Sequence, residues 1–387
     1  MSKIVCIYHS IDLDGFMSAA IVKHWFNSKR LFEARRIVNS NGTLNEETLD
    51  FIGYNYGQPI PYLLEYDQVI MVDVSFPFEE LKGKSVSRMF QLFQKLNANF
   101  IWIDHHISAI KDNIGLEYIN DKGEDTSTLF NGLRNTKYAA CELTWKYFFP
   151  NEPMPEIVRL LGLYDSFRHK GTNEEIKVLE FQYGARAYIK NYEDAYSFLI
   201  EELSETESSI VNRLHLEGIS VYQYLCTEAK QAYKNGFEIE FIKKELAKVG
   251  DTIYSKGYGS NNIKWDTGVI KNIYPYGSDI DTFEYVIEIK GGKEILEYHY
   301  NCNIESNKLK FICINKERFN PINFGIDYHK DGYDGAACFH RIAGGKWAFS
   351  LYNDNGEVDC SAIAKQFGGG GNKGAAEFVV KNLNEIF

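Results

Sequence analysis

The densest chemistry in the chain lies in Ile101-Trp-Ile-Asp104-His105-His106, where an apolar run ends in one carboxylate and two imidazoles. In an open parallel sheet, ligands collect just beyond the carboxyl ends of the strands. Imidazole and carboxylate together suit manganese, zinc or iron, while carboxylate and water suit magnesium. Taken singly, an aspartate after a strand is ordinarily a helix cap. Here three further apolar runs also end in acids: His9-Ser-Ile-Asp12-Leu-Asp14-Gly15, Met71-Val-Asp73 and Leu163-Tyr-Asp165. Two dications held about 3.5–4 Å apart can activate water for in-line attack on phosphorus, and such a pair needs a set of ligands with one carboxylate spanning both. His9, Asp12, Asp14, Asp73, His105 and Asp165 supply that set. Asp12 and Asp14 can point the same way only from a bent turn, which Gly15 makes cheap.

The elements that must position these residues follow from the apolar pattern. Residues 3–8 read as a first parallel strand, and from Phe16 the spacing becomes helical. Phe32 to Val38 reads as a second strand, and Asn39 to Pro61 as a short helix and loop. Residues 68–74 form another buried strand, Phe78 to Leu96 a helix, Asn99 to Ile103 the strand that delivers Asp104, and 111–135 a loop. Tyr138 to Phe149 is a helix stopped by Pro150, and Glu156 to Tyr164 is a helix presenting Asp165. Strands alternating with helices imply an α/β fold with a mostly parallel sheet covered on both faces. From Asn191 to Asn235 the spacing is helical throughout. Beyond it come four short alternating runs between 250 and 300, the last two joined by Gly291-Gly292. They either close into a small SH3-like barrel or extend the C-terminal sheet. Lys308 to Asn315 and Gly335 to Tyr352 add strands with a turn at Gly344-Gly345, and Val358 to Lys365 is a helix capped near Asp359 or Ser361.

The bulk composition narrows the function. Of 387 residues 44% are hydrophobic, with 26 Tyr and 26 Phe, which is ample for real cores. No apolar run approaches the roughly 20 residues that span a bilayer, and the N-terminus reads as a buried strand rather than a signal peptide, so no membrane partner is expected. The seven cysteines are scattered without a CxxC pair and read as reduced residues of a cytoplasmic protein. A net charge of −11 argues against a groove for long nucleic acid. It leaves room for a small anionic substrate, because bound dications dominate the local charge.

The order DxDG, isolated Asp73, Asp104-His105-His106 and a later Asp165 resembles the DHH phosphoesterase superfamily. The tail Gly368-Gly-Gly-Gly-Asn372-Lys373-Gly-Ala-Ala resembles the glycine-rich motif of its associated C-terminal domain, DHHA1. That pairing occurs in oligoribonucleases that also dephosphorylate pAp and in cyclic-dinucleotide phosphodiesterases. The resemblance covers roughly 3–170 and 308–380 and implies a catalytic metal-binding domain over 1–175 and a smaller α/β substrate-binding domain over 306–387; the helical spacing between them gives a connector over 176–247, and 248–305, which matches nothing in the family, reads as a β-rich insertion. It implies that His9 and Asp12 hold one metal, that Asp14, His105 and Asp165 hold the other, and that Asp73 bridges. Asp104 would orient an imidazole, and His106 would face the substrate. Manganese is expected, with magnesium or cobalt as alternatives. Gly369, Gly370 and Gly371 would offer backbone N–H groups to a phosphate or a base edge.

Two positions depart from the family: Asn372 stands where a histidine is usual, and Tyr352 where many members carry a phosphate-gripping arginine. Lys373 and Arg341 are the candidates to replace that arginine. The implied activity is two-metal hydrolysis of short oligonucleotides, linear or cyclic dinucleotides or pAp. A phosphoanhydride hydrolase and a non-catalytic nucleotide sensor are the alternatives, and a homodimer is left open.

Overall fold

Apolar runs buried on both faces make three of the four strands of the N-terminal sheet. The structure, a computed structural model, describes residues 2–38, 47–56, 58–76, 99–204, 209–246, 303–317 and 319–387, together with short pieces between 80 and 85 and between 252 and 300. It divides into two units, residues 1–228 and 229–387.

In the first unit, β1 (Ser2–His9), β2 (Glu47–Tyr54) and β3 (Gln68–Val72) are followed by a two-residue ladder, β4 (Glu80–Leu81) with β5 (Lys84–Ser85), and then by β6 (Phe100–Ile103). The main sheet has the order β2-β1-β3-β6 and all its pairs are parallel. Along β1, Ile4, Cys6 and Tyr8 pack to one side with Met17, Ala20 and Ile21 of α1 (Leu13–Val38). Val5 and Ile7 pack to the other with Met71, Trp102 and Ile110. Burial on both sides is why these strands read as continuous apolar runs rather than alternating ones. The helices of this unit are α1, α2 (Ile107–Asn113), α3 (Ala140–Phe148), α4 (Glu156–Asp165), α5 (Glu175–Tyr188), α6 (Tyr192–Ser204) and most of α7 (Ser209–Lys234).

Two sequence expectations fail here. Phe32–Val38 is the last part of α1, not a strand. Leu31, Glu33, Ala34, Arg35 and Arg36 are good helix formers, and no glycine or proline interrupts them. The second strand is instead Glu47–Tyr54, within the stretch read as helix and loop; it pairs with β1 along its whole length. The helix expected over 78–96 lies outside the described residues apart from β4 and β5.

Residues 119–135 do more than connect. Trp102 N donates to Asn131 O at 2.9 Å and Asp104 N to Leu133 O at 3.1 Å, so 131–134 runs beside β6 as a further edge. Gly132 adopts φ +112, and a Cβ there would lie 2.0 Å from Trp102 O. Arg134 locks this edge. It pairs with Asp125 at 2.6 Å, donates to the carbonyls of Trp102 and Phe130, and stacks on the Trp102 ring.

In the second unit, β7 (Phe237–Leu246), β12 (Asn303–Asn315), β13 (Gly335–Arg341), β14 (Trp347–Tyr352), β15 (Gly370–Gly371) and β16 (Ala375–Val380) form a six-stranded sheet in the order β15-β16-β14-β13-β12-β7. Only β12–β13 is parallel. Helix α8 (Cys360–Lys365) packs on it, its first turn capped by the Asp359 side chain accepting from Ala362 N. The helical stretch thus ends at Lys234, and 237–246 is a strand of this sheet. The four runs between 250 and 300 become β8 (Thr252–Tyr254), β9 (Thr267–Pro275), β10 (Thr282–Ile289) and β11 (Lys293–Tyr300). They make a separate antiparallel meander in the order β11-β10-β9-β8, not an extension of the C-terminal sheet, and among the described residues it does not close into a barrel. Gly291 and Gly292 lie outside the described residues; Ile289 pairs with Lys293.

Replacing Arg134 by methionine leaves Asp125 buried without its cation. The expected cost is about 3–5 kcal/mol of unfolding free energy, read from urea denaturation followed by tryptophan fluorescence. An unchanged midpoint would show that the clamp does not hold the edge.

Candidate metal centre

Strand register builds the site. Tyr8 pairs with Val72 and Val72 with Ile103, so the next residues, His9, Asp73 and Asp104, stand in one row at the carboxyl edge. Asp73 N donates to Ile103 O at 3.0 Å and takes a left-handed φ of +59. For a residue other than glycine that conformation costs of order 1–3 kcal/mol. Helix α1 leaves β1 so tightly that a Cβ on Gly15 would lie 1.9 Å from His9 O, and this turn brings both Asp12 and Asp14 to the row. Asp12 is cap and ligand candidate at once: Oδ1 accepts from Gly15 N, while Oδ2 lies 3.1 Å from His9 Nδ1. Asp14 accepts from Ala140 N and Cys141 N at the start of α3, and its Oδ2 lies 3.6 Å from His105 Nε2. Asp165, the last residue of α4, brings Oδ2 to 3.3 Å from the same nitrogen.

All six sequence candidates therefore meet. Their ligating atoms make two triads, His9–Asp12–Asp73 and Asp14–His105–Asp165, each within 4.8 Å, and a third, Asp73–His105–His106, brings His106 to the same centre. Asp73 stands between them, with Oδ1 3.4 Å from His105 Nε2 and Oδ2 3.6 Å from His9 Nδ1. Its carboxylate is 1% exposed, yet neither oxygen has a hydrogen-bond donor, and His9 Nδ1 also lacks a bond of proper geometry. Buried polar atoms left open in this way are costly unless a cation satisfies them. The donor set of carboxylates and imidazoles fits manganese, with magnesium or cobalt also compatible.

Asp104 has a different task. It is fully buried, and its Oδ1 accepts from the backbone N–H groups of His105 and His106 at 2.7 and 3.0 Å. The same oxygen lies 2.8 Å from His106 Nδ1, while Oδ2 accepts from Trp102 Nε1 at 3.2 Å. A proton on Nδ1 is thereby favoured, which leaves Nε2 of His106 as the free nitrogen.

The electrostatics show crowding by like charges. Burial, and then the charges of Asp14 and Asp12, push Asp73 well above the ordinary carboxylate range. Burial and Asp14 do the same to Asp165. Burial alone would lower His9, but contact with Asp12 and Asp73 outweighs it and pushes His9 up to about 11. Burial would likewise lower His105, and Asp165 and Asp14 raise it instead. For Asp104 the raising effect of burial is outweighed by His106, so it stays below its usual value.

The C-terminal candidates belong to the second unit. Tyr352 pairs with Ala375 in β16, close to Asn372 and Lys373. Arg341 does not join them. It pairs with Trp347 at the opposite end of the β13–β14 hairpin, five residues from the row of Tyr352, or about 17 Å along a strand. Part of the backbone of the glycine run is already engaged. Gly369 N donates to Ala364 O and Asn372 N to Ala375 O, so those groups serve the fold. A Cβ on Gly369 would lie 2.1 Å from Glu377 O, and one on Gly371, at φ +142, would lie 2.6 Å from Ala375 O. Close backbone approach explains these two glycines.

Trp102 and Tyr56 were not picked out by sequence. Tyr56 follows β2; its ring centroid lies 6.1 Å from that of His9 and 6.4 Å from that of His106. The signal was present, because Phe51-Ile-Gly-Tyr-Asn-Tyr is another apolar run reaching the same edge.

Residues 3–163 match the family model described as the DHH family, N-terminal domain. No curated protein matches the chain. Among solved structures, a pGpG-specific phosphodiesterase from Vibrio cholerae aligns over 98% of this chain and 93% of its own, at 12% identity and a TM-score of 0.41. An exopolyphosphatase-related protein from Bacteroides fragilis aligns over 98% and 87%, at 13% identity and a TM-score of 0.39. RecJ in complex with Mn2+ from Thermus thermophilus aligns over 98% of this chain but 49% of its own, at 11% identity and a TM-score of 0.35.

The raised pKa values of Asp73, Asp165, His9 and His105 mean that the metal-free centre retains protons that ligation must displace. Manganese binding is expected to release protons, and its affinity is expected to rise with pH. Calorimetry in buffers of different ionisation enthalpy checks this; a binding heat independent of buffer would contradict it.

Proposed function

Because residues 3–163 of this chain form a DHH-family N-terminal domain, we propose that the protein is a metal-dependent phosphodiesterase of short nucleotides: di- to penta-ribonucleotides, linear or cyclic dinucleotides, or pAp. The observation that carries this reading is the Asp73 carboxylate, buried without a donor between two triads of ligating atoms. His9, Asp12 and Asp73 would hold one divalent cation and Asp14, His105, Asp165 and Asp73 a second; the pair would supply an acidified water and positive charge for the phosphate oxygens.

The remaining chemistry belongs to the chain itself. The backbone N–H groups of Ala140 and Cys141 fix the carboxylate of Asp14, so its approach to the row is set by α3. Asp104 holds the imidazole of His106 by Nδ1; in the neutral ring with its proton there Nε2 accepts, and as the imidazolium it would donate to a phosphate oxygen or to the leaving group. Trp102 holds Asp104 in turn. Asn372, Lys373 and Tyr352, grouped at one end of the second sheet, are the substrate contacts we assign to that unit. Net charge of −11 favours a short substrate over a long one. Buried free thiols at Cys6, Cys141, Cys313, Cys338 and Cys360 accord with the cytoplasm.

Purified protein with manganese is expected to release 5′ mononucleotides from diribonucleotides faster than it releases phosphate from pyrophosphate or polyphosphate. The reverse ranking would favour a phosphoanhydride hydrolase. Asp73→Asn is expected to lower kcat by more than about a hundredfold, beyond the roughly 10–100-fold typical of residues that merely support ligands. Asp104→Asn is expected to stay within that range, with KM little changed. Full turnover in Asp73→Asn would remove the basis of the proposal.

A further inference from the structure

The ligand row leaves one neighbouring side chain without a purpose. β2 ends on the same edge as the row, with Tyr54 paired to His9, and Tyr56 lies two residues further on. Its hydroxyl is tethered: it accepts from Ser75 N at 3.4 Å and lies 3.5 Å from Ser75 Oγ. Burial of that end raises the phenol pKa, so the hydroxyl stays neutral. The residue as a whole is nevertheless 49% exposed. A ring fixed at its polar tip and open to water elsewhere is a prepared surface, because holding it costs little further side-chain entropy on binding.

The surroundings point the same way. Ile11, Ile107 and Phe167 are each 40–42% exposed, and each lies within two residues of a site residue: Asp12, His106 and Asp165 respectively. Phe167 is also held at a left-handed φ of +56, where a bulky residue is a genuine outlier. An exposed aromatic ring whose centroid lies 6.1 and 6.4 Å from those of two imidazoles of a strongly polar centre suits a ligand that has both characters. Inorganic phosphates have no apolar part. A nucleotide has a phosphate for the row and a flat base one sugar away.

We propose that Tyr56 is the base-stacking residue of the first unit, taking the nucleobase next to the phosphate held at the ligand row and so selecting nucleotides over baseless phosphates. This rests on the nucleotide reading above. Stacking on an aromatic face tolerates any base, so the preference is for the presence of a base rather than its identity.

The test compares adenosine monophosphate with ribose 5-phosphate by calorimetry on the manganese-loaded full chain. Wild-type protein is expected to bind the nucleotide about tenfold tighter, in keeping with the loss typical when a stacking aromatic is truncated. Tyr56→Ala is expected to bring the ratio near one, and Tyr56→Phe to keep most of it, since the ring remains. A ratio that survives Tyr56→Ala overturns the assignment, as does loss of manganese binding in that variant, which would make the ring structural. Wild-type protein that hydrolyses diadenylate yet binds the two monophosphates alike overturns the stacking role alone. Protein that binds neither and hydrolyses nothing overturns the reading of the site beneath it.

Discussion

Carboxylates crowded together repel one another, and no arrangement of neutral side chains relieves that. Asp14 and Asp73 are buried and Asp12 and Asp165 half-buried where they converge, with His9 and His105 as the nearest positive partners. The cluster lowers its own charge by holding protons, which is the physical content of the raised Asp73 and Asp165. A fold keeps such a cluster only if its backbone over-determines it. The parallel register fixes His9, Asp73 and Asp104 in a row, the tight exit of α1 adds Asp12 and Asp14, and the end of α4 adds Asp165. The positive φ of Asp73 shows how far the backbone is bent to present that carboxylate.

The support around the row is layered. Asp104 is shielded from the crowding by three donors and by His106, so it can remain ionised and steer an imidazole. Trp102 donates to it, and Arg134 stacks on Trp102 while gripping its carbonyl. A chain of contacts from Asp125 through Arg134 and Trp102 to Asp104 links a surface loop to the centre of the site. Asp14 works comparably from the other side: its carboxylate satisfies the first amides of α3, so a ligand candidate is also a helix cap.

The legible part of the sequence was the part written in contrast. A buried parallel strand is a solid apolar run, and an acid at its end stands out, so β1, β3, β6 and the six ligand candidates could be read directly. Asp165 was legible because α4 is short and amphipathic. β2 was not, because Glu47-Thr-Leu-Asp-Phe-Ile-Gly-Tyr is an edge strand with mixed exposure, embedded in polar sequence. That miss hid Tyr56, which depends on β2 for its place. Phe32–Val38 misled for the opposite reason, since apolar and basic residues in a helix interior can resemble a strand over seven positions. Arg341 was plausible by charge alone; only the antiparallel register showed it to be at the wrong end of its hairpin. Of the tail glycines read as ligand groups, Gly369 spends its N–H on Ala364 O, and close carbonyls explain why Gly369 and Gly371 carry no side chain.

The segment 131–134 has a meaning beyond support. Among the described residues β6 is the last strand on its side of the sheet, and an unpaired parallel edge is an open template for another chain. By laying Asn131 and Leu133 carbonyls against the amides of Trp102 and Asp104, the loop consumes the hydrogen-bonding groups that a foreign strand would need. Gly132, which lets the loop come this close, and Arg134, which ties it down, thus keep amides of this margin occupied beside the ligand candidates.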